Sequence, residues 1–367
     1  MKTKGEGSIK NRLVTRVVFT IFLILGIILQ SGCTTTHSLS STAAFNYDQA
    51  AFSKAKPWTS EAFKNDPEEF QFAVVGDRTG GSDPGGIFNK AMVQLNLLRP
   101  EFVINVGDLV EGYTEDKAEA MAQWDELDEI IDTLEMPFFY VPGNHDIGNE
   151  NMTNVWLERR GATYYHFIYN NVLFLVFNSE DPSNPVPEDM KEKTIAFKKL
   201  LEEDPAAAQA MLAEFMASLD EYQTPMVMSD QQIDYFKKVL AENPDVRWTI
   251  AFFHQPDWEH KDPGKAFPAI EQMLQDRPHT FIAGHLHYYV NENRNGIDHI
   301  TMGPIGASWH KNGPGNVDHI LWVTMKKDGP EFSQITLDGI WDRNGRDLKL
   351  KEVYERTMET EGVYVEN

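Results

Sequence analysis

Apolar residues recur along this chain in short unbroken runs, separated by longer stretches in which they fall every three or four positions. The runs Phe70 to Val75, Phe102 to Val106, Phe138 to Val141, Val172 to Phe177, Trp248 to Phe253 and Thr280 to Ala283 have the length and composition of strands. Between them, Ile87, Ala91, Leu95 and Leu98 share one helical face, as do Trp124, Leu127, Ile131 and Leu134. Ser229 is placed to cap a third helix with Gln232 as its capping-box partner, which turns Ile233, Phe236 and Leu240 inward. This alternation predicts an α/β layered fold with central sheets covered by helices. From His287 onward strands and turns take over: Tyr288 to Asn291, His299 to Met302, Ile320 to Lys326 and Phe332 to Leu337.

The two ends depart from this pattern. Lys2, Lys4, Lys10, Arg12 and Arg16 precede the apolar stretch Val17 to Leu29, which is short for a bilayer span and has the form of an export signal. Leu29-Gln30-Ser31-Gly32-Cys33 follows, with the only cysteine of the chain, and resembles a bacterial lipobox in which the cysteine is lipidated. Gln30 departs from the Leu-like residue usual at its position. The expected organisation is a signal peptide over 1–32 and a flexible tether over 33–66 rich in Ser, Thr, Ala and Lys. A catalytic domain over 67–345 and a tail over 346–367 follow. The expected location is the bacterial cell envelope, anchored to a membrane through Cys33. Thr34, next to Cys33, is not the aspartate linked to inner-membrane retention in some bacteria, which favours the outer membrane. Residues 181–225 open Pro-rich and continue with charged helical patterns, including a face of Ala208, Met211, Leu212 and Phe215. Two readings of this insertion stand, a peripheral helical hairpin and a cap that gates substrate or binds a partner.

Charge narrows the partners. The 367 residues carry 56 acidic against 33 basic side chains, a formal net charge of -23. Nucleic-acid scaffolds and anionic membrane surfaces are poor partners for such a field, and a polyanionic substrate needs local cationic help.

The polar residues at the ends of the strand-like runs supply the chemistry. Asp77 follows the first run in Gly-Asp-Arg-Thr-Gly, and Asp108 follows the second in Gly-Asp-Leu-Val. Asn144, His145 and Asp146 follow the third in Gly-Asn-His-Asp, His254 ends the run from Trp248, and His285 and His287 follow the run from Thr280 in Gly-His-Leu-His. Carboxyl ends of strands in α/β sheets converge on one crevice. Two carboxylates, an amide oxygen and three imidazoles form a mixed oxygen and nitrogen set suited to Mn, Fe or Zn. Shared between two ions with one common carboxylate, they would hold metals about 3.5 to 4 Å apart, the spacing that clamps a phosphoryl group. Arg78 is a candidate phosphate clamp through its planar fork, or else a salt-bridge partner for one of the many acidic residues. His166 and His260 have no such context; His299 and His319, each after an aspartate, are read as packing or surface residues with pocket lining as the alternative, and Trp309 and His310 are placed by chain order near the entrance.

In order and spacing these motifs resemble the calcineurin-like metallophosphoesterase family over roughly residues 70–325. The resemblance implies two mixed β-sheets flanked by helices and a hydrolase acting on a phosphomonoester or phosphodiester. It implies two divalent or trivalent metal ions and attack by a hydroxide bridging them. Carried over residue by residue, Asp77 and His287 belong to the first metal, Asn144, His254 and His285 to the second, and Asp108 bridges both. His145 would protonate the leaving oxygen or stabilise phosphoryl charge, with Asp146 orienting its imidazole. The family's first-motif histidine falls on Thr79, so the first ion lacks an imidazole. A non-catalytic metal-binding or cell-envelope scaffold with a degenerate first site is the alternative.

Overall fold

The computed structural model describes residues 45–342 except 53–54, 62–68, 80–82, 84–85, most of 183–224, 261–263, 309–314 and 338. The expected signal peptide, Cys33, most of the 181–225 insertion, Trp309, His310 and the tail from 346 lie outside the described residues.

Each apolar run becomes a strand: β2 (Phe70–Val75), β3 (Val103–Asn105), β4 (Phe138–Phe139), β6 (Val172–Val176), β7 (Trp248–Phe252) and β8 (His279–Ala283). They follow β1 (Phe45–Asn46) and flank β5 (Tyr165–Tyr169). The C-terminal part adds β9 (Val290–Arg294), β10 (Ile297–Thr301), β11 (His319–Lys326), β12 (Gly329–Thr336) and β13 (Gly339–Asp342). Two mixed sheets result. One is ordered β1-β5-β6-β7-β8-β10-β9, with β6, β7, β8 and β10 mutually parallel. The other is ordered β13-β12-β11-β2-β3-β4, with β2, β3 and β4 parallel.

Alternation within the strands explains the unbroken apolar runs. In β2, Phe72 and Val74 face the other sheet, whereas Ala73 and Val75 face helices. In β6, Phe174 and Val176 meet the opposing sheet and Leu173 and Leu175 face outward. A strand covered on both faces has no polar face to show. The helices are α1 (Ile87–Leu98), α2 (Lys117–Ile131), the single turn α3 (Asn144–Ile147) and α4 (Glu150–Arg159), then α5 (Asp230–Glu242) and α6 (Ala266–Leu274). Phe88, Trp124 and Trp156 from α1, α2 and α4 pack on one outer face, and Phe236 and Ile270 from α5 and α6 on the other. Helices thus cover both outer faces of the paired sheets. No described helix is long and apolar enough to cross a membrane.

Several local expectations shift. Helix α1 buries Phe88, Ala91, Met92 and Leu95, one step round from the expected face, which leaves Leu98 exposed. Leu134 falls beyond the end of α2. Ser229 caps α5 by accepting from the Gln232 amide at 3.2 Å, but the Gln232 side chain does not close a capping box. It is buried and instead holds both backbone groups of Asn178 at 2.9 and 3.0 Å.

The expected tether is corrected in its second half. Phe45 pairs with Tyr169, Trp58 bridges Phe139, and Phe45, Tyr47, Phe52 and Trp58 are buried against Phe139, Tyr165 and Phe167. These aromatics are spaced 2, 5 and 6 residues apart among small polar residues. They therefore carry no helix or strand period, yet each buries a large apolar surface.

Candidate metal centre

The strands that run parallel end on the same side, and the turns beyond them carry the polar set. Asp77 follows β2, Asp108 follows β3, Asn144 and His145 open α3 after β4, His254 follows β7, and His285 and His287 follow β8. The turns are sharp: Asp108, Tyr113, His285 and His287 are four of nine described non-glycine residues with positive φ, at 55°, 52°, 69° and 51°. Such conformations cost free energy for L-residues and concentrate where function requires them. Gly284 permits a close approach, because a Cβ there would overlap Asp77 Oδ1.

Hydrogen bonds to carbonyls set the orientation of three imidazoles. His254 Nδ1 donates to the Val106 carbonyl at 2.8 Å, His287 Nδ1 to the Ser308 carbonyl at 2.5 Å and His145 Nδ1 to the Glu111 carbonyl at 2.8 Å. A carbonyl only accepts, so in all three the Nε2 atom is turned to the centre. His254 Nε2 lies 3.1 Å from Asp108 Oδ2, 2.9 Å from Asn144 Oδ1 and 3.1 Å from His285 Nδ1. His287 Nε2 lies 3.1 Å from Asp77 Oδ2. Two groups able to hold a metal ion result, Asp108 with His254 and His285, and Asp77 with Asp108 and His287. Asp108 is common to both.

The electrostatics fit a cation. Lone pairs of two imidazoles, an amide oxygen and carboxylates aimed at one point repel unless a proton or metal ion shares them. Burial alone would lower the His254 imidazole, but Asp108 overrides it and pushes the group up to about 10. Burial likewise opposes ionisation of Asp108, yet His254 and then His145 hold its carboxyl below the usual range. His285 is driven well below its ordinary value by burial and by the neighbouring His254. Among the described residues Asp77 Oδ1 has no hydrogen-bond partner, as a buried ligand oxygen would before it meets an ion.

Two of the expected roles are corrected. Asp146 does not orient the His145 imidazole, which the Glu111 carbonyl holds. It is fully buried and accepts from the backbone N–H groups of Asp108, Leu109, Val110 and Gly143 at 2.8 to 3.3 Å. Its carboxylate therefore shapes the turn that presents Asp108. Arg78 is not free to clamp phosphate: its guanidinium bonds Glu126 at 2.7 Å and the Leu109 carbonyl at 3.2 Å, lies 3.9 Å from Asp83 and rests on Phe88. The acidic neighbours win the cation. The Arg78 and Thr79 amides both donate to the Asp108 carbonyl, so this segment braces the same turn.

Tyr113 and Glu180 were not anticipated. The Tyr113 hydroxyl accepts from Asn144 Nδ2 at 2.5 Å, and burial together with the Asp108 charge raises its phenol well above the ordinary value. Glu180, past the end of β6 and bonded to Gln255, is pushed up to about 7 by burial. The rule that chemistry sits at strand ends would have found Glu180, whereas no motif marks Tyr113.

The calcineurin-like phosphoesterase family model matches residues 71–289, over half of the chain and the whole of this centre. The chain belongs to the calcineurin-like phosphoesterases. It is thus a phosphoric ester hydrolase with Asp and His groups able to hold metal. A dimetal phosphatase from Danio rerio shares the fold, with a TM-score of 0.55 and 16% identity over 77% of this chain and all of that one. GAP50, described as the anchor in the inner membrane complex of Plasmodium, matches at a TM-score of 0.48 and 18% identity, over 77% of this chain and 90% of that one. No curated protein sequence matches the chain.

Proposed function

We propose that the chain is an exported, dinuclear metal-dependent phosphoesterase acting on a phosphomonoester or phosphodiester. The observation that carries this reading is Asp108, one carboxylate common to two converging Asp/His groups. Asp77, Asp108 and His287 would hold the first ion, and Asp108, Asn144, His254 and His285 the second. When bound, such a pair supplies an activated water and neutralises charge on the phosphoryl group. The side chains do the rest. His145, with Nδ1 fixed by Glu111, turns Nε2 inward 3.9 Å from Asp108 Oδ2, and burial opposed by the Asp108 and Glu111 charges leaves its pKa raised. It is placed to give a proton to the leaving oxygen.

Export rests on the basic residues Lys2 to Arg16, the apolar stretch to Leu29 and the Gly32-Cys33 pair, with the lipid on Cys33. Cys33→Ser should move the protein from the membrane fraction to the soluble fraction, and unchanged fractionation would refute the anchor. Thr79, buried where the resemblance places an imidazole, favours a second reading in which the first site is too thin for turnover. Metal content and hydrolysis of an aryl phosphate monoester and diester, before and after added manganese, decide between them. Two ions with metal-dependent turnover support the hydrolase, and one ion without turnover supports the binding protein.

A further inference from the structure

Asn144 has a side chain with two unlike ends, and only one of them can serve an ion. Its Oδ1 lies 2.9 Å from His254 Nε2, and its Nδ2 donates to the Tyr113 hydroxyl at 2.5 Å. Among the described residues that hydroxyl is the one group that bonds the nitrogen end, so it decides which end faces the centre. The Tyr113 ring also leans on the His145 imidazole, with centroids 4.7 Å apart and planes at 56°.

The backbone is bent to bring this ring in. Gly112 and Tyr113 both take left-handed conformations, φ 63° and 52°, a state that costs a tyrosine free energy. A Cβ on Gly112 would overlap the His145 carbonyl oxygen, so the turn can press against α3 only with glycine there. Gln123 accepts from the Gly112 N–H at 2.8 Å, while Asn149 and Asn151 donate to the Thr114 carbonyl at 3.2 and 2.9 Å. Tyr113 is therefore held from both sides, with its hydroxyl on Asn144 and its ring on His145.

We propose that Tyr113 is a positioning residue with two separable roles. Its hydroxyl turns Asn144 Oδ1 toward the second ion, and its ring confines His145 to the rotamer that donates to Glu111. The inference rests on the dinuclear reading above. It also means that Tyr113 does not replace the imidazole missing at Thr79, because it serves the ion already richest in ligands.

The test compares Tyr113→Phe, which removes only the hydroxyl, with Tyr113→Leu, which removes the ring as well, in the full chain titrated with manganese. In Tyr113→Phe one of the two manganese affinities should weaken by roughly tenfold, the usual cost of a lost outer-sphere partner, with the other unchanged. Hydrolysis at saturating manganese should fall less than in Tyr113→Leu. In Tyr113→Leu the same affinity should fall and hydrolysis at saturating manganese should drop as well, by about 10- to 100-fold, because His145 loses its brace. Asn144→Ala serves as the control. Parent-like manganese binding in Tyr113→Phe with weakened binding in Asn144→Ala overturns the proposal alone. Parent-like binding in both overturns the dinuclear reading with it. Indistinguishable hydrolysis by the Phe and Leu variants overturns the second role.

Discussion

Histidines just past the strand ends and histidines inside the strands meet different surroundings, and the contrast shows how the site is made. His254, His285 and His287 lie past the ends of β7 and β8, whereas His166, His299 and His319 lie within β5, β10 and β11. Burial acts on both groups. Inside the strands it acts almost unopposed: His166, His299 and His319 are all lowered to about 4 by it. Their partners are a tyrosine hydroxyl, a backbone carbonyl and a backbone N–H, and the nearest carboxylate to His299 is Glu271 at 4.0 Å. At the strand ends Asp77 and Asp108 lie 3.1 Å from His287 and His254; His254 rises to about 10, while burial and the charge of His254 drive its neighbour His285 down. The fold thus leaves these three strand histidines without a close carboxylate and gathers Asp77 and Asp108 at the crevice, where a cation offsets the desolvation of the carboxylates.

Removing the shared carboxylate should erase the contrast most completely. Asp108→Asn deprives both ion positions of one charge and His254 of the carboxylate that raises it. Hydrolysis should fall by roughly 1,000-fold or more, since charge stabilisation by a metal is worth several kcal/mol. Metal content should fall with it. Activity and metal content equal to the parent's would refute the bridging role. His145→Ala comes next: it leaves both ligand groups intact, so metal content should hold while kcat drops by about 100- to 10,000-fold. Loss of metal instead would place His145 among the ligands. Thr79→His has a smaller effect, on the first ion alone. An added imidazole should tighten one of the two manganese affinities by roughly tenfold, seen by calorimetric titration. No change would mean that residue 79 is turned from the ion.

How much of this was legible in sequence follows from the same contrast. Strand runs such as Phe70 to Val75 are readable because they are apolar on both faces, and the ligands because each falls directly after such a run. Roles decided by competition between neighbours are not readable. Asp146 is next to His145 in sequence, but four backbone N–H groups capture its carboxylate. Arg78 is next to Asp77, but Glu126, 48 residues on, takes its guanidinium. Tyr113 depends on a left-handed turn that no local pattern announces. The aromatics from Phe45 to Trp58 lack a period because they form almost no regular structure of their own and fill gaps against strands β4 and β5.

The subtlest effect belongs to the strand interior, at His319. Its Nε2 accepts from the Gly303 N–H at 2.9 Å, which requires a neutral ring, and no carboxylate among the described residues offsets a proton there. Because its folded pKa lies near 4, below the ordinary histidine value of about 6.5, the unfolded chain binds the proton first. Stability from this group is therefore complete above about pH 6.5 and is lost as pH falls toward 4. The Gly303 turn lies against Gly76, and Ile305 donates to the Asp77 carbonyl, so the loss loosens the support of a strand-end carboxylate. His319→Gln keeps an acceptor for the Gly303 N–H and cannot titrate. It should shift the acid unfolding midpoint, followed by circular dichroism, down by a few tenths of a pH unit, on the order expected for one proton among several. An unchanged midpoint would assign the acid sensitivity to His166 and His299, which titrate in the same window.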